Sequence, residues 1–128
     1  MRLLLDTHVV FWATMKVPGL SPKAIQQLES ENNEVFVSVA SAWEMAIKAG
    51  LGKWPEALPL IAAFEESLAS ANFRLLPIMV GHVRTSGLMQ HPHRDPFDRL
   101  LVAQAMIEGL TIVTSNNTVQ GMGAPWLW

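Results

Sequence analysis

The chain predicts an α/β fold with a central parallel sheet of four to five strands. Short apolar segments alternate along it with helical stretches, and polar or turn residues separate them. Asp6, Asp95 and Asp98 are the only aspartates among 128 residues, and each stands where a strand ends or a helix begins. In such sheets, sites form beyond the carboxyl ends of the strands. Half of the chain is hydrophobic, which suits one domain over residues 1–128, burying roughly 65 to 70% of its unfolded surface.

Taken in order, Arg2-Leu3-Leu4-Leu5 is continuous and apolar, the pattern of a strand covered on both faces. Residues 34–38, 73–76 and 110–114 read the same way. Ser21 followed by Pro22 supplies an N-cap and a first helical position for a helix over 23–30. A helix over 39–49 stops at Gly50, and further helices are expected over 59–71 and 80–89. Pro96 opens the most apolar helix, in which Leu100, Leu101, Val102, Ala103, Ala105, Met106 and Ile107 precede Gly109. A helix with so few polar positions is expected to be buried.

Composition narrows the function. Nine Lys and Arg against eleven Asp and Glu give a net charge of -2, so any nucleic-acid binding must use a local patch. The absence of cysteine excludes disulfides, thiolate zinc sites and a cysteine nucleophile. The apolar start ends at Asp6 and reads as a strand rather than a signal peptide. No run approaches the roughly 18 apolar residues of a membrane span, so a cytoplasmic protein without a membrane partner is expected.

Each acid has a structural reading and a functional one. Asp6 either caps a helix starting at Thr7 or faces the crevice at the end of the first strand. Glu44 forms a capping box with Ser41, pairs with Lys48 four residues on, or stands in the second turn of a helix starting near Val39 as an unpaired acid, the reading we favour. Asp95 and Asp98 have N-cap and N3 spacing around Pro96. For Asp95 the cap is favoured, whereas Asp98 begins the apolar helix and points to the same edge as Asp6. Carboxylates gathered at one edge repel each other unless a cation holds them. Oxygen ligands without cysteine suit a hard ion such as Mg²⁺ or Mn²⁺, which supports phosphodiester hydrolysis.

Other chemistries lack their signatures. His8, His82, His91 and His93 show no zinc spacing, and no phosphate-cradling Gly-x-x-x-x-Gly-Lys or Gly-x-Gly-x-x-Gly run occurs. For His8 and His93 a supporting hydrogen bond or simple exposure is expected. A small-ester phosphatase is a rival, but its paired Asp-x-Asp is here Asp6-Thr7-His8.

Three segments carry a resemblance: Leu3 to His8, Val37 to Lys48 and His93 to Ala105. In that order and spacing they resemble the PIN domain, most closely the VapC-type toxins of toxin–antitoxin pairs. The resemblance implies a three-layer α/β/α sandwich and a Mg²⁺- or Mn²⁺-dependent endoribonuclease. It matches Asp6, Glu44 and Asp98 to catalytic, metal-binding acids, with Glu44 either a third ligand or a base acting on water. Asp95 matches an acid of this branch. The family's fourth acid, in a Thr-x-Asp pattern, is here Asn116 after Thr114-Ser115, so the second of two ions would be held weakly. That departure also motivates a rival reading as a catalytically weakened binding module.

Around these acids, Thr7 and Ser115 are candidates to bond a phosphate oxygen, and Arg94 and Arg99 to bind substrate. Lys48 and Lys53 are expected to be solvated. The resemblance further implies RNA as substrate, a small antitoxin as partner, and a homodimer. Of the five tryptophans, Trp43 is expected in the core, while Trp12, Trp54, Trp126 and Trp128 are candidates for an interface, with ordinary core packing the favoured role for any single one.

Overall fold

The computed structural model describes residues 1–128. The strands are β1 (Arg2–Leu5), β2 (Glu34–Ser38), β3 (Arg74–Leu76), β4 (Thr111–Val113) and β5 (Trp126–Leu127). They form one sheet in the order β3-β2-β1-β4-β5, and every pairing is parallel. The fifth strand is too short to leave an alternating or apolar signature in the sequence.

Three consecutive leucines explain the layering. Leu3 and Leu5 belong to one apolar core and Leu4 to another, because successive side chains of a strand point to opposite faces. All three are fully buried, so both faces of β1 are covered. Truncating any of them to Ala is expected to cost roughly 2 to 5 kcal/mol. On one face pack α1 (Thr7–Met15), α2 (Pro22–Glu29), α3 (Val39–Gly50), α4 (Leu58–Ala62) and α5 (Phe64–Ser70), contributing Val9, Val10, Ala24, Met45, Leu60, Phe64 and Leu68. On the other lie α7 (Pro96–Glu108) and the segment around α8 (Asn117–Gln120), with Leu101, Val102, Ala105, Val119 and Met122; α6 (Val80–Leu88) packs on α7. The result is a three-layer α/β/α sandwich.

Three expectations are corrected. The helix over 59–71 is two helices, because Ala63 leaves helical geometry at φ -129° and ψ 40°. The apolar helix α7 is buried from Leu100 to Ala105, but Met106 and Ile107 are about half exposed. Trp43 is 55% exposed rather than in the core, and it meets Phe97 edge-on at 5.2 Å. In the last two cases helical geometry turns a side chain away from the sheet, and apolar composition alone does not reveal which side.

Candidate active site

The strand order reverses direction between β1 and β4, the usual place for a crevice in an open parallel sheet. Asp6 lies directly after β1 and Thr114 directly after β4. The Asp6 N–H donates to the Val113 carbonyl at 3.1 Å, extending the ladder past the end of β1. Although Asp6 precedes α1, its side chain makes no capping bond. Instead the Thr114 hydroxyl donates to Asp6 Oδ2 at 2.6 Å across the reversal point. Burial pushes the Asp6 carboxyl above its ordinary range, the Thr114 bond and His8 pull it back, and Glu44 pushes it further up. The cap reading of Asp6 therefore fails on geometry.

Ser38 ends β2, and its hydroxyl accepts from the Ala40 N–H at 2.9 Å, so α3 begins at Val39. Ser41 accordingly is no cap and forms no box with Glu44. It shares a 3.0 Å hydrogen bond with Thr7, both side chains being buried. Thr7 thus ties α1 to α3 and lies outside the lining of the acid pocket. Glu44 is buried in the second turn, but it is not unpaired: Lys48 Nζ lies 2.7 Å from its Oε2. Lys48 is accordingly not a free solvated side chain. Partial burial works against its charge, yet Glu44, Asp95 and Asp98 together hold its ammonium above the ordinary lysine range.

At the start of α7, Asp95 Oδ1 accepts from the N–H groups of Phe97 at 2.9 Å and Asp98 at 3.1 Å. That capping turns Asp98 inward, where His93 Nε2 meets its Oδ2 at 2.7 Å. Burial raises the Asp98 carboxyl; His93 opposes the shift, while Asp95, Asp6 and Glu44 add to it. Arg99 does not face the acids with free donors. Its guanidinium donates to the carbonyls of Ser86, Met89, His91 and His93, clamping the loop that carries His93 to α6. Arg94 is exposed and lines a neighbouring hollow beside Met89 and His91.

Asp6, Glu44, Asp95, Asp98, Ser115 and Asn116 line a single pocket of about 310 Å³, together with His8, Val9, Trp12 and Lys48. A separate pocket of about 370 Å³ beside Trp12, Val17, Ile25 and Leu28 is mainly apolar and has Lys16 and Glu29 as its only charged lining residues. The gathered carboxylates all lie in the first. Asn116 caps α8, its Oδ1 accepting from Thr118 N–H at 2.9 Å and Val119 N–H at 3.4 Å. Ser115 is exposed at the pocket rim.

The donors are hard oxygens on mutually repelling acids, and such a set fits Mg²⁺ or Mn²⁺. No three His, Asp or Glu side chains converge as a ready-made metal cage. Each acid instead has its own partner: Asp6 is held by Thr114, Glu44 by Lys48 and Asp98 by His93. Lys48 and Thr114 are site residues that motif reading passes over. The Glu-x-x-x-Lys spacing and the Thr of the Thr-x-Asp pattern are the signals that carried them.

Comparison with known proteins follows the same geometry. Residues 3–122 match the PIN domain family. Ribonuclease VapC22 of Mycobacterium tuberculosis is 26% identical, over 96% of this chain and 93% of its own length. Among solved structures, VapBC2 from Rickettsia felis bound to a promoter DNA fragment aligns with a TM-score of 0.70 at 17% identity, covering 99% of this chain and 98% of that one. A toxin–antitoxin complex from Klebsiella pneumoniae aligns at 0.66 and 17%, covering 98% and 96%. At such identities the structural likeness establishes the fold alone.

Proposed function

Because the chain belongs to the PIN-domain family, we propose that it is a divalent-metal-dependent endoribonuclease and the toxin of a toxin–antitoxin pair. The observation that carries this reading is that Asp6, Glu44 and Asp98 line one pocket, with no helix cap consuming their side-chain oxygens. The matched ribonuclease supports RNA as the substrate class. Asp6 and Asp98 would hold Mg²⁺ or Mn²⁺, with Glu44 as third ligand or as base. When bound, the ion supplies electrostatic stabilisation of the charge that develops on the phosphate.

The chain's own residues do the rest. Thr114 orients Asp6, while the Asp95 cap and His93 orient Asp98. A water attacks the scissile phosphorus in line, Glu44 takes its proton, and the bond to the leaving oxygen breaks, that oxygen taking a proton from solvent. Lys48 balances the charge of Glu44 until that proton arrives. Asn116 gives the pocket no charge and already spends its oxygen on α8, which supports one firmly held ion and a weak second.

A small antitoxin is the proposed partner, as the matched toxin–antitoxin complex suggests, and a second copy of the chain is proposed beside it. Exposed Trp43, Val80, Val83 and Leu88 offer apolar surface for such contacts. No helix is long and apolar enough to cross a membrane, and a cytoplasmic location is proposed. The test is cleavage mapping on total RNA with and without Mg²⁺, alongside Asp98→Ala. Discrete metal-dependent cuts that fall on the order of a hundredfold in the variant are expected. Wild type and variant equally inert would instead leave a binding module.

A further inference from the structure

One wall of the acid pocket takes no part in the hydrolysis just described. His8 lies there, in the first turn of α1 and two residues from Asp6, and its side chain is exposed. Its ring stacks on Trp54 with centroids 4.7 Å apart and planes 21° from parallel. Trp54 is itself fixed edge-on against Phe11 at 5.1 Å, and its backbone N–H donates to the Lys48 carbonyl at 3.1 Å. Trp12 leans on His8 at 5.9 Å. Trp12 is closed over by Gly19, where a Cβ would lie 2.4 Å from the indole. Phe11, Trp12 and Trp54 are thus partly buried supports, and His8 is the exposed ring of the group.

Electrostatics sharpens the question of what this ring does. A polyanion approaching the pocket meets acids whose nearby cations are engaged: Lys48 with Glu44, and Arg99 with four carbonyls. Arg94 lies outside the pocket lining. With a net charge of -2, general attraction does not supply the affinity either. A flat, rigidly backed ring beside the acids supplies a source that needs no charge, since every nucleobase has a face that can stack.

We propose that His8, backed by Trp54 and Trp12, is a stacking platform for an unpaired nucleobase next to the scissile phosphate. This inference rests on the ribonuclease reading of the same pocket and adds to it the side chain that grips the base. Within an A-form duplex both faces of a base are covered by its neighbours, so only an unpaired nucleotide can present a face to His8. Stacking tolerates all four bases, so His8 sets strandedness rather than sequence.

The test measures binding and cleavage separately. Fluorescence anisotropy in EDTA compares a short mixed-sequence single-stranded RNA with its duplex, using the wild type, His8→Ala, His8→Phe and Trp54→Leu. His8→Ala is expected to weaken single-strand binding about tenfold. His8→Phe, which keeps an aromatic ring and has no ring nitrogens, restores most of it, and duplex binding stays weak in all four proteins. Trp54→Leu should fall between wild type and His8→Ala. Equal single-strand affinity of wild type and His8→Ala overturns the platform, and so does a loss that Phe does not rescue, which would mark an effect of the ring nitrogens. Cleavage of the same RNA with Mn²⁺ tests the underlying reading: strand-selective binding without cleavage sinks the nuclease but leaves the platform, whereas cleavage with no His8 effect does the reverse. RNA that neither binds nor is cut overturns both.

Discussion

Asp6 and Asp95 each stand immediately before a helix at the same edge of the sheet, yet their side chains do opposite things. Asp95 spends Oδ1 on two amides of α7. The Asp6 side chain makes no capping bond to α1 and receives a hydroxyl from Thr114 instead. The local sequence is permissive in both places, since aspartate is a good cap and both residues have the extended ψ that capping needs. The difference comes from the next strand. β4 runs beside β1 and ends in a buried threonine whose hydroxyl reaches Asp6, whereas nothing comparable faces Asp95. A carboxylate at a helix start is therefore free for chemistry when tertiary structure supplies a stronger local partner than the helix does.

The largest expected effect breaks the comparison on the Asp6 side. Asp6→Asn should reduce metal-dependent cleavage on the order of a hundredfold or more, measured by gel assay on a mapped RNA. The same substitution should raise the melting temperature near neutral pH. The sign follows from linkage: a folded-state carboxyl raised above its unfolded value contributes stability below the unfolded value, and that contribution is lost as pH rises through the folded one. An amide carries no such loss, so the gain of Asp6→Asn should vanish in acid. A melting temperature that falls at pH 7 and recovers at low pH would contradict the burial argument.

Next in size is the partner that frees Asp6. Thr114→Val removes the hydroxyl that lowers the Asp6 carboxyl. The acid limb of the cleavage profile should move to higher pH, because protons then compete with the metal over a wider range. Cleavage at pH 6 should fall several-fold more than at pH 8. A profile of unchanged shape would mean that Asp6 needs no help from β4.

On the other side, Asp95→Ala should cost about 1 kcal/mol of stability, the usual penalty for a lost cap, read by urea unfolding. Its effect on cleavage should be smaller than that of Asp6→Asn, since Asp98 keeps His93 as a partner. If Asp95→Ala matched Asp6→Asn in lost activity without losing stability, the two aspartates would not differ as their contacts imply.

How far this contrast can be read from the sequence depends on distance along the chain. The Asp95 cap is legible, because the residues it bonds lie two and three positions away. So are the strands carrying Leu3 to Leu5 and Val35 to Val37, whose apolar runs report a sheet covered on both sides. The Asp6–Thr114 bond spans 108 positions, and only the parallel pairing of β1 with β4 brings its ends together. Lys48 illustrates the opposite error: its spacing to Glu44 is plain in the sequence, but the weight of that pair depends on burial of the acid, which spacing does not show. Arg99 is similar. A guanidinium near a motif looks available until the loop carbonyls that surround it are placed.

The finest test lies at Asn116, another polar residue that precedes a helix at this edge. It behaves like Asp95, capping α8, but it carries no charge. Asn and Asp cap about equally well, so Asn116→Asp should change stability by only a few tenths of a kcal/mol. What it adds is a negative charge on the lining shared by Asp6, Glu44 and Asp98. Hard-ion affinity rises with ligand charge, so calorimetric titration with Mn²⁺ should show one main site in the wild type and a tightened second site in the variant. Two tight, equal sites in the wild type would mean that an amide already busy as a cap suffices for the second ion. An unchanged titration in the variant would mean that the cap holds the side chain away from the metal whatever its charge. The substitution therefore separates the two jobs that a residue before a helix can perform, by holding the cap constant and altering the charge alone.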